Sequence, residues 1–146
     1  MDYIIKYIST SDAYTVRHPV LRKGKPFESC IFEGDDLDTT FHLGIYKQEQ
    51  LVGVCTFVKN NHTLLSEVFQ YQLRGMAVLD AYQNQGLGAK LVTQGEAILK
   101  EKKINVIWCN AREKAANFYK KIGFNIIGEP FNIPNIGKHY IMFKKL

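Results

Sequence analysis

Apolar and polar positions fall along this chain in short runs that can be taken element by element. "YIIKYI", residues 3–8, predicts a first strand, and Ser9 to Asp12 supplies capping residues for a helix running toward Arg22. Pro19 is expected to kink or split that helix, because proline has no N–H to give and its ring crowds the preceding turn. The stretch "KGKPFESCIFEGDDLDTT" has turn formers, charge and little periodicity, which predicts an irregular connection with one short helix. "FHLGIY" and "LVGVCTFV" then predict two strands joined at "KQEQ" as a hairpin. A polar loop with Asn60, Asn61 and His62 leads to a further strand, roughly Phe69 to Leu79.

Beyond it the period changes. Leu87, Leu91, Gly95 and Ile98 recur at helical spacing, flanked by Val92 and Leu99, while Lys90, Glu96, Lys100 and Glu101 fall on the opposite face. "INVIWC" is nearly all apolar, as a strand covered on both faces would be. A second helix is expected from about Arg112 to Ile122, with Ala115, Phe118 and Ile122 inward and Gly123 as its stop. "FNIIG" and "HYIMFKKL" predict closing strands around a loop containing Pro130 and Pro134. The order is β, α, a β meander, then β-α-β-α-β-β. Its central β-α-β should be a right-handed parallel crossover. The expected fold is therefore of α/β (α+β) class, a mixed and mostly antiparallel sheet with helices on both faces.

Length and composition narrow the picture. With 146 residues and no repeat or linker, residues 1–146 are expected to form a single domain. "MDYIIKY" carries no basic region leading into an apolar stretch, and no run approaches the roughly 20 apolar residues of a spanning helix, so a cytoplasmic protein with no membrane partner is expected. Cys30, Cys55 and Cys109 are odd in number and lack metal or dithiol spacing, so they are expected as reduced core residues with no metal bound. The formal charge of +5 is dispersed in lysine pairs, which suits anionic ligands but selects no nucleic acid.

"YQNQGLGAKL" places Gly86 and Gly88 where a strand hands over to a helix. A helix begins with N–H groups that lack partners and with concentrated positive potential, so glycine there permits close approach of a phosphate. A tight turn that binds nothing would use the same two glycines. The dinucleotide fingerprint GxGxxG fails at Leu91, and the P-loop fails because Gly88 is followed by Ala89 and Lys90. What remains is QxxGxG over Gln83, Asn84, Gln85, Gly86, Leu87 and Gly88. With "LRGMAV" before it and "CNAREKAANFYKKIGF" after it, this stretch resembles the GCN5-related N-acetyltransferase (GNAT) family. The resemblance covers residues 70–128 strongly, and the remainder in outline. The closing "EPFNIPNIGKHYIMFKKL" looks like a bacterial subset of that family.

The resemblance implies the acyl-CoA N-acyltransferase fold, with the strand before the loop splayed from the strand after the helix, and acetyl-CoA as cosubstrate. By position it implies pantetheine pairing along Met76, Ala77 and Val78, pyrophosphate binding by the amides from Asn84 through Ala89, and cofactor contacts from Gln83, Asn110 and Asn117. An edge opened by splaying has free N–H and C=O groups to offer. The Met76 N–H is the implied oxyanion donor, a group worth about 2.7–4 kcal/mol. Tyr119 of "FYKKIGF" is the implied general acid. A tyrosine pKa near 10 lies above a thiol's value of about 8.5, so hydrogen-bonding the departing sulfur is as plausible as protonating it.

An amine of pKa about 10.4 is neutral in only about one molecule in 2,500 at pH 7, so a base should line the acceptor side. His18, Glu33, Glu67 and His139 are the candidates. The acceptor region of the family would here hold Arg17, His18, Arg22, Glu28, Glu33, Arg74 and His139, a set whose cations suit an acceptor carrying a carboxylate or phosphate. The acceptor is expected to be a small-molecule or protein amine, and a homodimer is the default state for a bacterial enzyme of this size. Loss of chemistry would leave a non-catalytic acyl-CoA binding or sensing domain. A covalent cysteine route has no support, since neither Cys30 nor Cys109 has a neighbouring base in sequence.

Overall fold

The computed structural model describes residues 2–146. Among them, seven strands and three α-helices follow in the order β1 (Tyr3–Ile8), α1 (Thr10–Leu21), β2 (Phe41–Lys47), β3 (Gln50–Lys59), β4 (Gln70–Val78), α2 (Leu87–Glu101), β5 (Val106–Arg112), α3 (Ala116–Lys121), β6 (Asn125–Ile133) and β7 (Gly137–Lys145). The strands form a mixed sheet in the order β1-β2-β3-β4-β5-β7-β6. β4 and β5 are parallel, whereas β1–β2, β2–β3, β5–β7 and β6–β7 are antiparallel. The parallel ladder covers Gln70↔Val106 to Gln72↔Trp108, which is short for strands of nine and seven residues. Contacts gather the chain into two compact units, residues 1–58 with 73–98 and residues 59–72 with 99–146, and β4 contributes to each.

In the first unit, α1 starts where Ser9 Oγ accepts the Asp12 N–H at 3.1 Å. Of the two outcomes expected at Pro19, the split does not occur, and the helix runs on to Leu21. Proline removes one i→i−4 bond, and so close to the helix end that loss leaves the preceding turns intact. Val16 of α1 packs on Val54 of β3 and Ala77 of β4. Side chains alternate along a strand, so Phe57 of β3 faces the other way, and there it lies against Gly95 of α2. α1 and α2 therefore cover opposite faces of β3.

Gly95 is a helix-interior glycine with a steric cause. A Cβ there would fall 2.1 Å from Phe57 Cζ. Gly95→Ala is expected to lower stability by about 1–3 kcal/mol through overpacking, despite alanine's better helix propensity, as read by urea unfolding. Glu96 corrects the expected polar face of α2, because it is only 8% exposed. The buried stripe is Leu87, Leu91, Val92, Gly95, Glu96 and Leu99, with Ile98 of the expected set only half-buried.

In the second unit, β5 is buried from Val106 to Cys109, as its apolar run predicts. Three other expectations fail here. β5 continues through Arg112, a 3₁₀ turn occupies Glu113–Ala115, and α3 is confined to Ala116–Lys121. The buried face of α3 is Ala116 and Tyr119, not Ala115, Phe118 and Ile122. Pro130 lies within β6 rather than in a loop, where the register shifts between Ile127 and Phe131. β6 is the last strand of the order, and an edge strand with an irregular ladder tolerates a residue that cannot donate. Gly123, at φ +101°, does end α3, with the Phe124 N–H reaching back to Tyr119 O at 3.0 Å.

All three cysteines are buried free thiols, and burial pushes each thiol pKa up. No helix among the described residues is long and apolar enough to cross a membrane.

Candidate functional site

The C-terminal half of β4 and the loop into α2 lie in the first unit. Gly75 sits inside β4 at φ +63°, a left-handed residue that interrupts strand alternation just before Met76. A Cβ at position 75 would also fall 2.8 Å from Arg17 Nε, so glycine is required there twice over. Met76 and Val78 are half-buried and Ala77 is buried. The Val78 carbonyl accepts the Gln83 side-chain amide at 2.9 Å, and Gln83 also reaches Asp80 Oδ1 at 3.2 Å, which clips the strand end to the loop.

From Asn84 to Gly86 the loop is exposed. Asn84 at φ +63° and Gly86 at φ +79° are both left-handed, and no atom lies within 4 Å of where a Gly86 Cβ would stand. Gln85 Oε1 accepts the Tyr3 hydroxyl at 2.6 Å, anchoring the loop to β1. The Lys90 N–H bonds Gly86 O at 3.1 Å, so the N–H groups of Leu87, Gly88 and Ala89 precede the first bond of α2. These amides, the positive end of a 15-residue helix and the open space over Gly86 make a cradle suited to an anion rich in oxygen acceptors.

The second unit holds the other expected cofactor residues. Asn110 is exposed within β5, opposite Ile141 of β7, rather than at the strand's end. Asn117 is exposed on α3. Tyr119 is buried, only 7% exposed. Its ring lies edge-on to Phe118 at 5.0 Å and Phe124 at 5.4 Å.

The family model described as "Acetyltransferase (GNAT) family" matches residues 7–124. The chain belongs to the GNAT acetyltransferase family. It is 39% identical over 142 residues to the uncharacterized N-acetyltransferase YitI of Bacillus subtilis (strain 168), a match covering 97% of this chain and 95% of that one. The fold is similar to that of a putative N-acetyltransferase from Lactobacillus plantarum, with TM-score 0.81, 18% identity, and coverage of 100% and 99%. It is also similar to PaiA N-acetyltransferase from Thermoplasma acidophilum in complex with coenzyme A, with TM-score 0.71, 19% identity, and full coverage of both chains. Family membership makes this chain an acyltransferase.

The acceptor-side residues implied by the resemblance lie on α1, the irregular connection after it, β4 and β7. The structure gives Arg17 there a different setting from the one expected, since its side chain is fully buried. Arg17 Nη1 lies 2.6 Å from Asp35 Oδ2 and Nη2 lies 3.1 Å from Oδ1, while further bonds go to Cys30 O and Thr56 Oγ1, each at 2.8 Å. Burial alone would raise the Asp35 pKa, but hydrogen bonds from Arg17 and the Phe32 N–H hold it below the usual carboxylate value. Burial, Asp35's charge and a 3.2 Å bond to its carboxylate push the Tyr14 hydroxyl up to about 12.

His42 completes the cluster, with Nδ1 2.7 Å from Thr56 Oγ1 and Nε2 3.0 Å from Asp35 O, and burial lowers its pKa. Asp35, His42, Thr56 and Phe32 were not singled out from the sequence. The one available signal was the acidic run "EGDDLD" inside an otherwise irregular segment.

The other acceptor-side candidates are more accessible. His18 is half-buried with Nε2 2.8 Å from Lys25 O, and Glu33 is exposed. Arg74 is half-buried and donates through Nη1 to Glu33 O. In the second unit, His139 is buried, with Nδ1 2.8 Å from Gly137 O and its ring 5.8 Å from Phe131.

Proposed function

We propose that this GNAT chain transfers an acetyl group from acetyl-CoA to a primary amine by direct attack, and that residues 1–146 act as a single catalytic domain. The observation that carries this reading is the exposed left-handed loop at Asn84 and Gly86, which opens onto the first amides of α2 directly after β4. Bound coenzyme A in the similar PaiA structure supports the choice of donor. The donor supplies an acyl group already activated as a thioester.

The chain's own residues divide the remaining work. Amides from Asn84 through Ala89 hold the pyrophosphate, and the Met76 and Val78 backbone groups pair with the pantetheine arm. A carbonyl has two lone pairs, so Val78 O can keep its bond from Gln83 while accepting a second. The left-handed Gly75 supports a role for the Met76 N–H at the thioester oxygen, because it breaks strand alternation directly before that residue. The N–C bond forms at the thioester carbonyl, the C–S bond breaks, and the departing thiolate is met by the Tyr119 hydroxyl. The amine's proton goes to a base on the acceptor side. A neutral His18 that donates Nε2–H to Lys25 O keeps Nδ1 as an acceptor, and a neutral His139 that donates to Gly137 O keeps Nε2.

Thiol release from acetyl-CoA in the presence of primary amines tests the transfer. Tyr119→Phe is expected to lower kcat by about 100-fold, the low end for loss of general acid–base help, with little change in the KM for acetyl-CoA. A Tyr119→Phe protein as fast as wild type on every amine turned over removes the role given to the hydroxyl.

A further inference from the structure

Gly75 is left-handed at φ +63°, one residue before Met76. Glycine permits that conformation without enforcing it, since it populates negative φ about as readily. A neighbour must hold the chain there. The three heavy atoms nearest to where a Gly75 Cβ would stand all belong to Arg17, with Nε at 2.8 Å, Nη2 at 3.0 Å and Cζ at 3.2 Å. Both nitrogens are closer to that point than the carbon between them, so the guanidinium turns its Nε–Nη2 edge toward Gly75.

This guanidinium is fixed from several sides. It is fully buried, and Nη1 and Nη2 bond Cys30 O, both Asp35 carboxylate oxygens and Thr56 Oγ1. Phe32 covers its face, with the ring centroid 4.2 Å from Cζ. Nε is the exception. Among the described residues, its buried N–H has no hydrogen-bond partner. An orphaned buried donor costs stability, so it calls for an explanation. The ion pair does not supply one, because Asp35 is met by the other two nitrogens. What the Nε edge faces is Gly75.

We propose that Arg17 is a positioning residue for acetyl transfer, whose fixed guanidinium edge holds Gly75 left-handed and so sets the Met76 N–H for the thioester oxygen. This rests on the acetyl-transfer reading above. Arg17 acts through one backbone residue, without contact to acetyl-CoA. It ties that residue to α1, to β3 through Thr56, and to the segment after α1 through Cys30 and Asp35. The oxyanion donor is then in place before the thioester arrives, which is the condition under which such a donor is most effective.

The test uses acetyl-CoA labelled with carbon-13 at the acetyl carbonyl, bound to wild type, to the double variant Arg17→Met with Asp35→Leu, and to Arg17→Lys. A thioester carbonyl that accepts a hydrogen bond resonates downfield of the free ligand, and the wild-type complex should show that displacement. The double variant replaces the fixed edge by a flexible thioether chain and leaves no buried charge unpaired. It should lose at least half of the displacement, while the calorimetric Kd for acetyl-CoA stays within about threefold, because the pyrophosphate loop is untouched. Arg17→Lys keeps a charge beside Asp35 but has no planar edge, and it should lose the displacement as well. A merely structural arginine would lower the urea midpoint and leave the bound resonance at its wild-type position. That result in either variant, once folded, overturns the proposal. A wild-type complex with no downfield displacement removes the oxyanion role of Met76 and this proposal with it, and leaves coenzyme A binding standing. Failure of acetyl-CoA to bind the wild type overturns the acetyl-transfer reading itself.

Discussion

Asp35→Ala is expected to lower the unfolding free energy by about 3–5 kcal/mol, because it leaves the Arg17 guanidinium buried without a counter-charge. Bonds from Arg17, Tyr14 and the Phe32 N–H all converge on this carboxylate, so the loss also unties α1 from the segment after it. Replacing both partners by apolar residues, Arg17→Met with Asp35→Leu, should recover much of the loss, since the principal cost lies in the unpaired charge. Urea unfolding of the two proteins measures this, and a double variant weaker than Asp35→Ala would contradict it.

The same cluster sets an acid limb. The folded pKa of His42 is lowered, so its contribution is present above the unfolded value of about 6.5 and lost as pH falls through the folded value. Asp35 is likewise lowered, so its contribution is present above about 3.9 and lost as pH falls further. Stability should therefore begin to fall just below pH 6.5 and fall again below pH 4. In His42→Gln the first decline should disappear.

Gly86→Glu is expected to weaken acetyl-CoA binding by more than about 100-fold while the protein stays folded. No neighbour stands within 4 Å of the new Cβ, so steric disruption of the fold is absent. The left-handed φ of +79° costs a non-glycine residue about 1–2 kcal/mol, which a cooperative fold can bear. The effect on binding is larger, because a carboxylate placed where the pyrophosphate approaches adds like charge and bulk at once. A hundredfold loss corresponds to about 2.7 kcal/mol. Gly86→Ala separates the two causes, keeping the strain and most of the affinity. Calorimetric affinities beside thermal melts of all three proteins provide the check.

How much of this was legible from residue order follows from the range of the interactions. β1 begins and ends where the apolar run does, and α2 starts at Leu87, directly after the glycine turn, because local backbone chemistry decides both. Pattern alone placed Glu96 on the solvent side and gave Arg17 no buried partner, since charged residues are rarely buried without one. For Arg17 the partner stands 18 residues away at Asp35, inside a segment with no periodicity. α3 came out too long because the "AREKAA" stretch has good helix formers, yet β5 pairs with β7 through Arg112↔His139 and holds those first residues extended.

At the candidate site, Gln83 to Ala89 could be located by spacing, since a glycine turn before a helix is a local device. Left-handed Gly75 and the guanidinium edge of Arg17 against it could not, because they depend on how β4 packs against α1.

The loop from Asn84 to Ala89 is proposed to be a coenzyme A pyrophosphate cradle serving acetyl transfer. Calorimetric titration of the wild-type protein with acetyl-CoA, desulfo-coenzyme A and NAD tests it most directly. Both coenzyme A ligands should bind with one-to-one stoichiometry, and NAD should not bind. Failure of acetyl-CoA to bind, or binding of NAD equal to it, would mean that the turn at Gly86 shapes the chain without serving this donor.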